Sequence, residues 1–166
     1  MVEKLWSGEL PEFNSVDAAN KLIGALIMGL WKRLTRHQER SAPFRLVRPD
    51  VMATRAGLAT LAMIRCQELD GFVEGQFGDE ETIGLPERAH RGLGTLSEMR
   101  ASMAAVFHMA RDETKAATNQ DVQTSLRNVR EMTKIAEHEI HAIVLSCARA
   151  RRQMLAVLPV TKPTLH

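Results

Sequence analysis

The chain contains no tyrosine, and aromatic residues make up only 4% of its 166 positions. That scarcity argues against a single-stranded nucleic-acid platform, where bases stack on aromatic faces. It also leaves an aliphatic core of Leu, Ile, Val, Ala and nine Met, a palette suited to helices rather than strands. There are two cysteines, Cys66 and Cys147, without the close spacing of a disulfide framework or a cysteine metal site. They read as reduced, buried thiols of a cytoplasmic protein. No long apolar run occurs. The greasiest stretch, residues 22–31, has ten residues, about half of what crosses a bilayer. It lacks a basic lead and a cleavage site, so it reads as a buried helix, not as a targeting segment. The net charge of +2 is too small to imply a polyanionic partner by itself. No glycine loop cradles phosphate, and Ser146 has no nucleophile-elbow context. No catalytic residue and no cofactor are expected.

What is present is helical periodicity. Residues 1–14 form an irregular arm, broken by Gly8 and Pro11. Asn14 or Ser15 then caps a helix running from Val16 to about Glu39, with Asp17 in its first turn. Pro43 and Pro49 mark residues 40–49 as a loop, and Asp50 is the expected cap of a second helix over 51–77. Its apolar side is Leu58, Leu61, Ile64, Leu69, Phe72, Val73 and Phe77. Residues 78–85 form the next loop. Pro86 fits the first turn of a third helix, which ends near Asp112. Thr118 or Asn119 caps the last and longest helix, with a stripe through Val122, Leu126, Val129, Ala136, Ile140 and Ile143, stopped by Pro159. Arg149, Arg151 and Arg152 near its end suit the helix dipole. The expectation is a single all-α domain over 1–166, a four-helix bundle-like fold with a long C-terminal helix and a tail from 159. That helix outruns the others, so its exposed end calls for a partner such as a second copy in a homodimer.

Charge is unevenly distributed. Residues 32–55 hold seven basic side chains against Glu39 and Asp50, whereas residues 66–87 hold seven acidic ones and no basic one. The bland account is that the two segments neutralise each other or are solvated faces. The functional account makes them contact surfaces for a protein partner, with Glu68, Asp70 and Glu74 on one side and Arg33, Arg36 and Arg40 on the other. Arg33, Arg36, Arg40 and Arg45 also define a nucleic-acid alternative. That alternative is disfavoured, because the basic run spans a helix end and a proline loop rather than a helix-turn-helix. A third reading is a metal-binding bundle. His138 and His141 are three apart, and Glu87 with His90 forms a Glu-x-x-His pair, with Glu137 adjacent. Carboxylate-bridged metal bundles use two such pairs, and only one is present. His138 and His141 lie off the Ile140–Ile143 stripe, so the bland account makes them solvent-facing.

Two segments carry a resemblance. The first is Trp6-Ser7-Gly8-Glu9 with Pro11 and Phe13, leading into Ala18, Ala19, Leu22, Leu26, Met28 and Trp31. The second is Glu68-Leu69-Asp70-Gly71-Phe72-Val73-Glu74-Gly75. Together, over roughly the first half of the chain, they resemble the YecA/YgfB-like family of bacterial helical proteins. In that family the Glu-Leu-Asp-Gly-Phe motif usually precedes the Trp-Gly segment, whereas here it follows. Some members end in a cysteine-rich metal-binding tail. This chain ends in Pro-Thr-Leu-His, so zinc binding of that kind is not implied. The resemblance implies an all-helical bacterial cytoplasmic protein without established catalysis, and it names no substrate. The leading expectation from the residues themselves is a non-enzymatic protein acting through protein interaction or regulation.

Overall fold

The computed structural model describes residues 15–78, 84–114 and 116–157, apart from the side chains of residues 26, 27, 29–34 and 157. The irregular arm 1–14 and the tail from 159 lie outside the described residues. Within them there are four helices and no strand: α1 (Val16–Arg36), α2 (Arg55–Phe77), α3 (Glu87–Arg111) and α4 (Asn119–Val157). The fold is all-α and bundle-like, with a 39-residue last helix. The chain divides into two compact units, residues 1–36, which hold α1, and residues 37–166, which hold α2 to α4. No described helix is long and apolar enough to cross a membrane.

Helix ends follow side-chain chemistry. Ser15 caps α1, its Oγ accepting from the Ala18 N–H at 3.2 Å. The helix stops three residues before the expected Glu39. There the chain turns, with the His37 ring donating from Nδ1 to the Ala42 carbonyl at 3.1 Å and the Ala42 N–H bonding the Glu39 carbonyl. The start of α2 corrects the expectation by four residues. Thr54, not Asp50, is the cap, because its hydroxyl accepts from the Gly57 N–H at 3.1 Å. A tight turn just upstream, closed by the Thr54 N–H on the Met52 carbonyl at 2.9 Å, brings that carbonyl against Gly57. A Cβ at position 57 would collide with it, so only glycine fits. Pro86 precedes the first turn of α3 as its cap residue. α4 opens with a reciprocal capping box in which Asp121 N–H bonds the Thr118 hydroxyl and the Asp121 carboxylate accepts from the Thr118 N–H and hydroxyl. Those bonds hold the Asp121 carboxyl below its ordinary pKa.

α2 and α3 pack antiparallel, as do α3 and α4, in two apolar layers. One joins the start of α2, the end of α3 and the start of α4 through Leu58, Leu61, Ala110, Val122, Leu126 and Val129. The other joins Leu69, Ala89, Leu96, Met103, Ile140 and Ile143. Leu46, from the connection before α2, enters this second layer. Burying that leucine contributes about 1.5–3 kcal/mol. Gly92 lets α3 approach α4 closely: a Cβ there would lie 2.7 Å from Ile143 Cγ1. Arg55 ties the first layer shut. From the start of α2 its guanidinium donates to the carbonyls of Ala110 (3.3 Å), Met109 (3.2 Å) and Asp112 at the end of α3. A cation is favoured at that end of the helix dipole.

Candidate functional site

Between the two apolar layers runs a buried polar network that the stripes alone do not announce. Arg65 is 4% exposed, Glu137 6% and Thr133 9%. The Arg65 guanidinium donates to Thr133 Oγ1 at 3.0 Å, to the Val47 carbonyl at 2.7 Å and to the Glu68 carboxylate. Glu68 also accepts the Val47 N–H at 2.8 Å, and Glu137 accepts the Leu46 N–H at 3.1 Å and Arg45 Nη1 at 2.6 Å. An extended strap, residues 44–47, is thus held along the bundle by side chains of α2 and α4. Its backbone groups have no helix or sheet to satisfy them, and these carboxylates and this arginine take that role. Arg65 was not a sequence candidate. Its signal was its position: it falls between Ala62 and Leu69 on the buried face of α2, where a charge is out of place.

The acidic candidates separate by role. Glu68 serves the strap. Asp70 meets Arg100 of α3 in a two-pronged pair, Nε to Oδ1 at 3.1 Å and Nη2 to Oδ2 at 3.0 Å. This pair is about half exposed, so its stabilising effect is modest. Asp70, Glu74 and Arg100 edge a groove of about 520 Å³ between the second half of α2 and the first half of α3. Its floor is apolar: Leu69, Val73, Leu93 and Leu96. Val73 is 39% exposed there. Of the other acidic residues of the segment, Asp79 to Glu81 lie outside the described residues and Glu87 is exposed at the start of α3. Of the basic candidates, Arg36 is exposed at the end of α1, Arg40 is exposed in the loop after it, and the Arg33 side chain lies outside the described residues. Arg45 pairs with Glu137.

The histidine and carboxylate set disperses. Glu87 is exposed and pairs with Arg91 at 3.7 Å, His90 and His138 are exposed, and Glu137 is committed to the strap. Among the described residues no three His, Cys, Asp or Glu side chains form a group able to hold a metal. His141 departs from the solvent-facing expectation. Both its ring nitrogens are enclosed, and neither makes a full hydrogen bond among the described residues, although the Arg40 backbone lies close enough to act on the ring. Burial lowers its pKa below the ordinary 6.5, and His37 and His138 nearby lower it further; the Arg40 backbone offsets part of this. The unfolded chain therefore binds that proton more readily than the fold does. His141's contribution is complete above about pH 6.5 and is lost as the pH falls below it. The expected result is a melting temperature that drops between about pH 7 and about pH 5, with a shallower drop in His141→Gln. Parallel curves for the two proteins would assign the acid sensitivity elsewhere.

Cys66 and Cys147 are reduced and half-buried, and burial raises both thiol pKa values, the reverse of an activated nucleophile. The geometry of the α2–α3 groove suits binding, with an apolar floor for a side chain and charged edges for orientation. Compared with known proteins, the chain matches no family model, no curated protein and no solved structure.

Proposed function

We propose that the protein is a non-enzymatic helical interaction module whose α2–α3 groove docks a basic, amphipathic segment of a protein partner. The observation that carries this reading is the apolar groove floor of Leu69, Val73, Leu93 and Leu96, where Val73 is exposed and Leu93 half-buried, beside Asp70 and Glu74. Helix-in-groove recognition uses such floors for apolar anchors, and charge at the rim selects the partner. The sign of the partner follows from the chain's own segment 66–87, whose seven charged residues are all acidic.

The test is direct titration of a partner recovered by affinity capture, using its purified binding segment. That segment should carry lysine or arginine beside large apolar residues. Val73→Asp, and Asp70→Lys combined with Glu74→Lys, should each weaken binding by about tenfold or more. Glu68 is left intact, because altering it would loosen the strap. Unchanged affinity in both variants, with helical content preserved, rejects the groove as the docking surface.

A further inference from the structure

A second concavity lies in the same unit and shares no lining residue with the α2–α3 groove. The loop after α1 and the projecting end of α4 enclose a cleft of about 710 Å³. Arg40 reaches it from the loop, and Arg149 and Arg152, three apart on one helical face, reach it from α4. The sequence separates these arginines by more than a hundred positions, and the fold brings them together. Gln38, Ser41 and Gln153 add neutral donors, while Leu145 and Ala156 form its apolar wall. Among the described residues Glu39 is the one carboxylate in the lining, which leaves the described lining net positive.

The state of these arginines distinguishes them. Arg45, Arg65, Arg88, Arg91 and Arg100 are each held by a carboxylate. Among the described residues no salt bridge holds Arg40, Arg149 or Arg152, and all three are exposed. Three guanidinium groups outside any described salt bridge, reaching from two directions a space of small-molecule size, leave a net positive field that a multiply charged anion relieves. A phosphoryl group offers several acceptor oxygens and up to two charges, which matches forks arriving from separate elements; a planar carboxylate engages one fork. Among the described residues the lining has no aromatic ring, so recognition would rest on the phosphate and not on a stacked base. A cleft of this extent, with only three arginines, is too short for the backbone track of a nucleic acid.

We infer that the cleft formed by Arg40, Arg149 and Arg152 is a binding site for a small phosphorylated molecule. It is independent of the α2–α3 groove. The experiment is calorimetric titration of the full chain with inorganic pyrophosphate at constant ionic strength, with citrate and a short DNA duplex as comparators. Pyrophosphate should saturate one site and bind more tightly than citrate. Arg149→Ala with Arg152→Ala, and separately Arg40→Ala, should weaken it by about tenfold or more. Arg127→Ala with Arg130→Ala, exposed on α4 outside the cleft, should leave it unchanged. Arg149→Lys with Arg152→Lys keeps the charge while removing the forks, and should also bind more weakly, which guards against a folding defect in the alanine variants. The inference is overturned by an absence of saturable binding, by equal affinity for citrate, or by equal weakening in the Arg127 and Arg130 variant. Tighter, steeply salt-dependent binding of the duplex, lost in the same cleft variants, would assign the cleft to nucleic acid and overturn it as well.

Discussion

Replacing Arg65 by alanine should remove about 3–5 kcal/mol of folding stability, a large share of what a domain of this size has. The guanidinium is almost wholly buried, and each of its nitrogens has an acceptor: Thr133, Val47 and Glu68. Truncation leaves the Val47 carbonyl short of a partner, strands much of the Glu68 charge and opens a void between two apolar layers. Arg65→Lys should recover only part of the loss, since an ammonium cannot serve three acceptors set around a planar fork. Urea unfolding measures this directly, as a lower midpoint at an unchanged slope. A loss below about 1 kcal/mol would mean that water replaces the guanidinium and that the network is not sealed.

Glu137→Ala should cost about 3 kcal/mol, and Arg45→Ala less than about 1 kcal/mol, although the two side chains form one ion pair. The asymmetry follows from burial. Arg45 is 58% exposed at its side chain, whereas the Glu137 side chain is 7% exposed and also accepts the buried Leu46 N–H. Removing Glu137 orphans that amide; removing Arg45 returns one oxygen of the carboxylate toward solvent. Hydrogen exchange adds a local readout. The Leu46 amide should exchange faster in Glu137→Ala, while amides in the middle of α3 change only with global stability. Equal losses for the two substitutions would make the ion pair, and not the amide bond, the reason Glu137 is kept.

Much of the bundle was legible in the amino-acid order, because a helix hides its apolar side at a period that survives in the text. Leu58, Leu61 and Leu69, or Leu126, Val129, Ile140 and Ile143, need no coordinates to be assigned to a core. Boundaries were less legible where two caps competed. Asp50 and Thr54 both suit the position, and Gly57, lying under the Met52 carbonyl, decides for Thr54. The strap was hidden for a different reason. Its bonds tie residues 45–47 to side chains 18 to 92 positions away, and no periodicity encodes them. Only the presence of Arg65 and Glu137 on otherwise greasy faces hinted at it. Among the acidic candidates the sequence could not say that Glu68 turns toward the strap while Asp70 reaches Arg100. The convergence of Arg40 with Arg149 and Arg152 was likewise out of reach, because it depends on how far α4 extends beside the loop.

The route by which the strap is fastened has a consequence during synthesis. Residues 44–47 leave the ribosome well before Glu137, which follows Arg45 by 92 positions. At roughly 5–20 residues per second, the nascent chain carries an unlatched Leu46 for about 5–20 s. Throughout that interval the Leu46 side chain and the Arg65 guanidinium, both buried in the finished fold, are open to wrong neighbours, and only the arrival of the last helix closes the latch.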